Sequence, residues 1–411
     1  MEYSPKHLIM VTGDANHNKY YNMIPHGDSW TAEYGRVGAS CQKRTYSIRE
    51  WDKKYREKIA KGYKDVTDIS QDLIEEDTSG ESCYKPISNE SVRKIIERLQ
   101  QIAKKTISAN YTVSSNKVTQ AMVDTAQDLL NNLIGFNGTV NDFNKRLIEI
   151  FNTIPRKMKN VSDYLSKSKD DYNEIIQREA DLLDVMRGQV VVRNTSVVKN
   201  TGDSKEITIL EELGLEMDDV TDAEVSMIKN LMGSNSDKFI RAFKVKHIDS
   251  NDKFNKYLDE RKIQDTDLLW HGSRSCNWFS ILSQSLKIRP TGVATNGALF
   301  GADGIYFANN VMKSRNYCGM RGSYWVSGDS NTGFVALFET AYGNKPYDVY
   351  SFSSEYYNMN EERLNQKLKG ATCLHAHAGT KLNGSWSQLV NDEIIFYNEN
   401  AVTIRYLVEI K

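Results

Sequence analysis

Leu268-Leu269-Trp270-His271-Gly272-Ser273-Arg274 drives two leucines and a tryptophan toward a core, then presents an imidazole, a glycine and a hydroxyl in succession. A strand end of this composition lets a bound molecule come close to the backbone at the glycine, beside a hydrogen-bonding ring. Taken alone, the word fits a core histidine followed by a turn equally well. Two further stretches share its character. Phe300-Gly301-Ala302-Asp303-Gly304-Ile305-Tyr306-Phe307-Ala308 sets a glycine-flanked turn before an aromatic strand, and Lys313-Ser314-Arg315-Asn316-Tyr317-Cys318 follows. Tyr306 and Tyr317 suit the walls of a slot for a flat ring, although core packing explains them too. Asn391-Asp392-Glu393-Ile394-Ile395-Phe396-Tyr397 puts a carboxylate at the mouth of an apolar strand. Desolvation there is costly unless the group has a partner or a task, or sits exposed at an edge.

Together the words L-L-W-H-G-S-R, I-L-S-Q, G-I-Y-F-A, K-S-x-N-Y-C and E-I-I-F-Y resemble the catalytic domain of the poly(ADP-ribose) polymerases, in that family's order, over residues 205–411. The resemblance implies an α+β ADP-ribosyltransferase domain that takes NAD⁺ as substrate and needs no metal. Its catalytic triad falls on His271, Tyr306 and Glu393. By the same resemblance, His271 holds a hydroxyl of the adenosine ribose, while the Gly272 backbone and the Ser314 hydroxyl hold the nicotinamide carboxamide. Tyr306 and Tyr317 sandwich the ring; Ser273, Asn277 and Lys313 line the cleft. Lys287 stands where members often carry an arginine near the adenosine side, which implies a weaker phosphate contact. Glu393 stabilises positive charge developing on the ribose and orients the accepting hydroxyl, the step that permits chain growth.

The chain departs from the family in two places. The loop Leu299 to Gly304 is one residue longer than usual, and Lys367 to Lys381 lacks a glycine-lysine word and carries His375 and His377 instead. A His-x-His pair suggests a metal, but with no third ligand near in sequence the reading here is a surface or packing pair and no metal. Both departures bear on acceptor choice and chain length.

Upstream, Val92 to Met186 carries apolar residues at helical spacing. Val92, Ile95, Ile96, Leu99 and Ile102 mark one helix; Val118, Met122, Leu129 and Leu133 a second; Val140, Phe143, Leu147 and Ile150 a third; and Tyr172, Ile176, Leu183 and Met186 a fourth, ending at Gly188. The pattern alone fits a structural bundle; the words Phe151 to Pro155 and Ala180 to Asp184 resemble the family's helical regulatory domain. Further toward the N-terminus, Tyr20 to Ile24 and Thr31 to Val37 alternate as strands around a turn at His26-Gly27-Asp28. With Tyr34-Gly35-Arg36-Val37-Gly38, this region resembles the W-G-R domain, Tyr34 standing for the namesake tryptophan. The expected architecture is multi-domain α+β. It comprises a small β-rich W-G-R-like DNA-binding domain over 1–75, an all-α regulatory bundle over 88–193 and the transferase domain over 205–411, the order of the short DNA-dependent members.

The protein of 411 residues has a net charge of about −1, so any nucleic-acid contact must come from a local patch. Residues 34–64 supply one, with ten Lys/Arg against three acids and Trp51, Tyr55 and Tyr63 interleaved. Tyr34, Arg36, Lys43, Arg44, Lys53 and Lys54 are the candidate DNA contacts; a solvated helix face is the plainer alternative. Partners implied are DNA breaks or ends and protein acceptors, the chain itself included. Cys41, Cys83, Cys276, Cys318 and Cys373 form no C-x-x-C pair, and a reducing compartment follows. Leu8 to Val11 is too short for a signal peptide and no stretch suits a membrane span. An intracellular location is therefore expected, nuclear if eukaryotic and cytoplasmic if bacterial or viral. Two rival readings are a mono-ADP-ribosyltransferase on this scaffold and a DNA-end-binding scaffold with an inert transferase domain.

Overall fold

The computed structural model describes residues 3–13, 17–36, 41–67, 84–111, 118–198, 207–288, 299–301, 303–323, 328–343, 345–382 and 388–411. These fall into two compact units, one of residues 1–82 with 104–197 and one of 83–103 with 198–411. The division cuts across the expected domains. The basic N-terminal segment shares a unit with most of the helical segment, and residues 83–103 belong with the C-terminal part.

In the first unit, β1 (Lys6–Thr12), β2 (His17–His26), β3 (Ser29–Arg36), β4 (Gln42–Ser47) and β5 (Lys64–Asp65) form an antiparallel sheet in the order β4-β3-β2-β1-β5. The β2–β3 turn contains Gly27 at φ 67°, a left-handed conformation that favours glycine. Val37 and Gly38 lie outside the described residues. Helix α1 (Trp51–Ala60) sends Trp51 edge-on to Trp30, ring centroids 5.4 Å apart, in a core with Met23 and Ala32.

Helices α2 (Glu90–Asn110), α3 (Gln120–Asn131), α4 (Val140–Thr153) and α5 (Tyr172–Val198) follow, and the boundary between the two units falls within α2. Thr119 and Thr139 cap α3 and α4 by accepting from the Met122 and Asp142 amides. The buried stripe of α3 is Met122, Val123, Ala126 and Leu130, so Leu130 rather than Leu129 is fully inside. Helix α5 does not end at Gly188. An interior glycine costs only about 1 kcal/mol, and buried Met186 and Val190 carry the packed stripe across it. Residues 194–198, beyond the expected end of the bundle at 193, are helical, and 199–206 lie outside the described residues. Inside this unit the Val11 amide donates to Asn152 Oδ1 (3.0 Å) and buried Asn18 donates to the Arg156 carbonyl (3.0 Å), joining sheet to helices.

The second unit holds helices α6 (Ile209–Glu212), α7 (Asp222–Met232), α8 (Ile248–Arg261), α9 (Trp278–Gln284), α10 (Val311–Arg315) and α11 (Glu361–Lys367). Its strands are β6 (Leu215–Asp219), β7 (Phe239–His247), β8 (Asp267–Gly272), β9 (Ile305–Phe307), β10 (Gly333–Thr340), β11 (Pro346–Ser351), β12 (Cys373–Lys381), β13 (Glu393–Phe396) and β14 (Val402–Ile410). One sheet runs β6-β7-β14-β10-β8, all antiparallel; the other runs β11-β12-β13-β9 with β11 and β12 parallel. Strand β14 lies between β7 and β10, and residues on both its faces are buried, Thr403, Leu407 and Glu409 included. A bulge leaves Arg405 between the pairs Leu337–Tyr406 and Phe338–Ile404, which turns its guanidinium to Glu339 (2.6 Å). No helix among the described residues is long and apolar enough to cross a membrane.

Candidate active site

Three strand ends converge in the second unit. Trp270 of β8 and Ala308 exchange two backbone hydrogen bonds of 2.8 and 2.9 Å, stitching one sheet to the other. Strand β9 then pairs with β13, Tyr306 opposite Ile395, and β13 begins with Glu393. The residues read from the sequence as His271, Tyr306 and Glu393 thus sit on neighbouring strands, although the first and last are 122 positions apart.

His271 Nδ1 lies 3.0 Å from the Tyr306 carbonyl. A carbonyl only accepts, so Nδ1 carries the proton and Nε2 is left as an acceptor. The ring is enclosed by Trp278, Phe307 and Phe338, at centroid distances of 6.5, 5.5 and 5.9 Å. Burial pushes its pKa down to about 4, against the opposing pull of the carbonyl. The imidazole is neutral at pH 7.

The Tyr306 hydroxyl donates to the Gly301 carbonyl (2.8 Å) and accepts from the Phe300 amide (3.1 Å), pinning the ring to the preceding loop. Tyr397 donates to the Phe300 carbonyl from the other side. Gly301 has φ 98°, and a Cβ there would lie 2.3 Å from the Met359 carbonyl oxygen. This is the loop read as one residue too long; Ala302 lies outside the described residues.

Glu393 is buried, with Oε1 3.0 Å from Lys313 Nζ and Oε2 enclosed and without a hydrogen-bond partner among the described residues. Lys313 also donates to the Asp392 carbonyl (2.8 Å). Burial holds its ammonium pKa below the usual value, with the Glu393 charge opposing. Tyr317 is pushed up to about 12, first by burial and then by Glu393, and Tyr306 well above its usual value by the same two causes. One carboxylate therefore faces both tyrosines and the lysine.

Gly272 follows His271, and a Cβ on it would lie 1.9 Å from the backbone oxygen of buried Ser314. Only glycine permits that approach of β8 to α10. Asn277 Nδ2 donates to Ser273 Oγ (3.0 Å), and Trp278 Nε1 bonds the Ser273 and Phe334 carbonyls at 3.1 and 3.2 Å. Lys287 pairs with Glu399 at 3.0 Å, with Glu399 also accepting from the Ile288 amide. Its charge is therefore already engaged.

Two groups near the site were not singled out in the sequence. Asp303 has a buried Oδ1 without a hydrogen-bond partner among the described residues, and burial raises its pKa. Asp392 accepts from Asn309 Nδ2 (2.8 Å), the Ala378 amide (2.7 Å) and His375 Nε2 (3.0 Å). An acid beside a catalytic-looking glutamate gives no signal of its own, because its partners come from distant segments, strand β12 and the turn after β9.

Of the candidate DNA contacts, Tyr34 stacks on Tyr21 at 5.5 Å. Arg36 donates to the Lys159 carbonyl at 3.0 Å, and Lys43 pairs with Glu33. Arg44 and Lys54 lie 5.1 and 5.5 Å from the Tyr46 ring centroid, and Lys53 is exposed on α1. Lys58, not among the candidates, sits 3.7 Å from the Tyr21 centroid and 5.9 Å from that of Tyr34.

A family model described as the poly(ADP-ribose) polymerase catalytic domain matches residues 222–411. The chain is 30% identical over 198 residues to poly [ADP-ribose] polymerase-like protein 100L of Invertebrate iridescent virus 6, covering 47% of this chain and 99% of that one. It is 36% identical over 186 residues to protein 101L of the same virus, covering 44% and 76%. Against poly [ADP-ribose] polymerase 1 of Gallus gallus it is 26% identical over 422 residues, 97% of this chain but 38% of that protein. The chain thus spans well under half the length of this cellular relative. A catalytic domain of this kind is an ADP-ribosyltransferase domain with NAD⁺ as substrate. This chain belongs to the poly(ADP-ribose) polymerase family.

Proposed function

We propose that the chain is a DNA-stimulated poly(ADP-ribose) polymerase that transfers ADP-ribose from NAD⁺ to protein acceptors and to growing chains. One observation carries the reading: Glu393 is a buried carboxylate held by Lys313, with a second oxygen that has no partner among the described residues. Such an oxygen is expensive to keep unless the working complex supplies its partner. The donor NAD⁺ supplies a ribose–nicotinamide bond whose cleavage develops positive charge on the sugar. Glu393, negative and fixed beforehand by Lys313, stabilises that charge without reorganising. The orphan Oε2 accepts from a hydroxyl, which in elongation is that of the acceptor ribose.

The other residues position the donor. His271, neutral, accepts a ribose hydroxyl on Nε2. Gly272 lets the carboxamide reach the backbone beside Ser314, and Tyr306 and Tyr317 flank the ring. The immobilised Tyr306 hydroxyl fits a wall rather than a proton carrier. Ser273, Asn277 and Lys287 fit the adenosine side, where the Lys287–Glu399 pair weakens any phosphate contact.

Stimulation by DNA breaks is supported by the basic segment 34–64, where Arg44 and Lys54 gather at Tyr46, and by the likeness to the chicken polymerase along 97% of the chain. Labelled NAD⁺, incubated with the protein with and without nicked DNA and resolved on a gel, tests this. A DNA-dependent ladder is expected. A single labelled band would indicate mono-transfer, and no label under either condition an inert scaffold.

A further inference from the structure

The geometry points to a divalent transition-metal site, of the zinc class, formed by Asp348, His375 and His377 at the sheet edge beside the catalytic strand. In sequence the His-x-His pair has no nearby third ligand. The fold supplies one. Successive residues of a strand point to opposite faces, so His375 and His377 of β12 share a face. The parallel β11 sets Asp348 opposite His375 in register. One ligand atom from each of the three lies within 4.8 Å of the others.

Asp348 Oδ1 is 2.7 Å from His377 Nε2 and 4.0 Å from His375 Nδ1. Ligand atoms bound tetrahedrally at about 2.0–2.1 Å lie roughly 3.3 Å apart, so small rotations of side chains suffice to close the site. Two imidazoles and a carboxylate are a donor set suited to Zn²⁺ and its neighbours. Asp348 is exposed and His377 partly so, which leaves a side open for ion entry and for water as fourth ligand.

The surroundings are arranged as for a ligated histidine. His375 Nε2–H donates to Asp392 (3.0 Å), so its Nδ1 keeps a lone pair, 4.0 Å from Asp348 Oδ1. A carboxylate on the far nitrogen fixes ring and tautomer, the usual support of a metal-bound imidazole. That Nδ1 now accepts from the Tyr342 hydroxyl at 2.7 Å, a neutral bond that a cation displaces. His377 is clamped between two rings, stacked on Tyr350 at 4.4 Å and on His375 at 3.9 Å. Ring stacking and hydrogen bonds to Asp348, Asp392 and Tyr342 explain the individual contacts but not why three donor atoms gather within 4.8 Å of one another at an exposed edge. The bound ion would brace β11 and β12 against β13, where Asp392 adjoins Glu393.

The test uses the full chain, stripped with a chelator and then titrated with Zn²⁺ in competition with a chromogenic chelator. One equivalent should bind with micromolar affinity or tighter. Asp348→Asn and His377→Ala, both at partly exposed side chains, should each weaken it at least tenfold. Co²⁺ in place of Zn²⁺ should give visible d–d bands without a thiolate charge-transfer band. Absence of saturable binding overturns the site, as does a thiolate band or binding unchanged in both variants, which would place the ion on cysteines. None of these readouts depends on ADP-ribosyl transfer, so failure here leaves the transferase reading untouched.

Discussion

At the scale of single residues, contact distance and burial decide the chemistry of the cleft. Gly272→Ala forces a methyl to within 1.9 Å of a backbone oxygen that cannot swing aside as a side chain would. The variant should lose about 1–3 kcal/mol of stability in chemical denaturation and at least tenfold in NAD⁺ affinity by calorimetry; wild-type values in both would contradict the close approach. His271 makes a second prediction. Its folded pKa is depressed to about 4, so on acidification the unfolded chain takes up this proton first. Stability from this group is therefore unchanged above about pH 6.5 and declines as pH falls from 6.5 toward 4. An NMR titration of the ring should have its midpoint near 4; a midpoint near 6.5 would mean the ring is solvated. The residues of the cleft were legible in the sequence because each sits in a word of unusual composition. Asp392 and Asp348 were not, since nothing local distinguishes an acid whose partners arrive from elsewhere in the chain, and Asp303 was not, since its burial is set by the fold.

At the scale of elements, the periodic stretches were the readable ones. The spacing over Val140 to Ile150 matches α4, which buries Phe143, Leu147 and Ile150 along one face. Strand β14 is covered on both faces and bulged at Arg405, so no simple alternation describes what it buries. Helix α5 outran its glycine because packing, not propensity, sets its length. The ion pair between Arg156 and Glu179 was invisible in sequence: 2.6 Å long and almost fully buried, it links the segment after α4 to α5. Arg178 touches the other Glu179 oxygen at 3.2 Å and softens the loss of Arg156 only in part. Arg156→Ala should cost about 3 kcal/mol or more in urea unfolding of this unit; a shift under about 1 kcal/mol would show that the pair behaves as a surface one.

At the scale of the whole molecule, one chain carries both a basic N-terminal segment and a transferase domain. Arg36 and Lys43 are tied to protein groups, so Arg44 and Lys53 are the cleaner probes of DNA binding. Reversing both to Glu should weaken binding to nicked DNA at least tenfold and flatten its salt dependence, while basal turnover without DNA stays unchanged. Equal binding by parent and variant would move the interface elsewhere. The central claim is that Glu393 is the charge-stabilising group of ADP-ribosyl transfer. Glu393→Gln keeps the shape of the side chain and removes its charge. Measured with labelled NAD⁺ and nicked DNA, polymer formation should fall by about a hundredfold or more, with NAD⁺ affinity within a few-fold of the parent; long polymer at the parental rate would contradict the assignment.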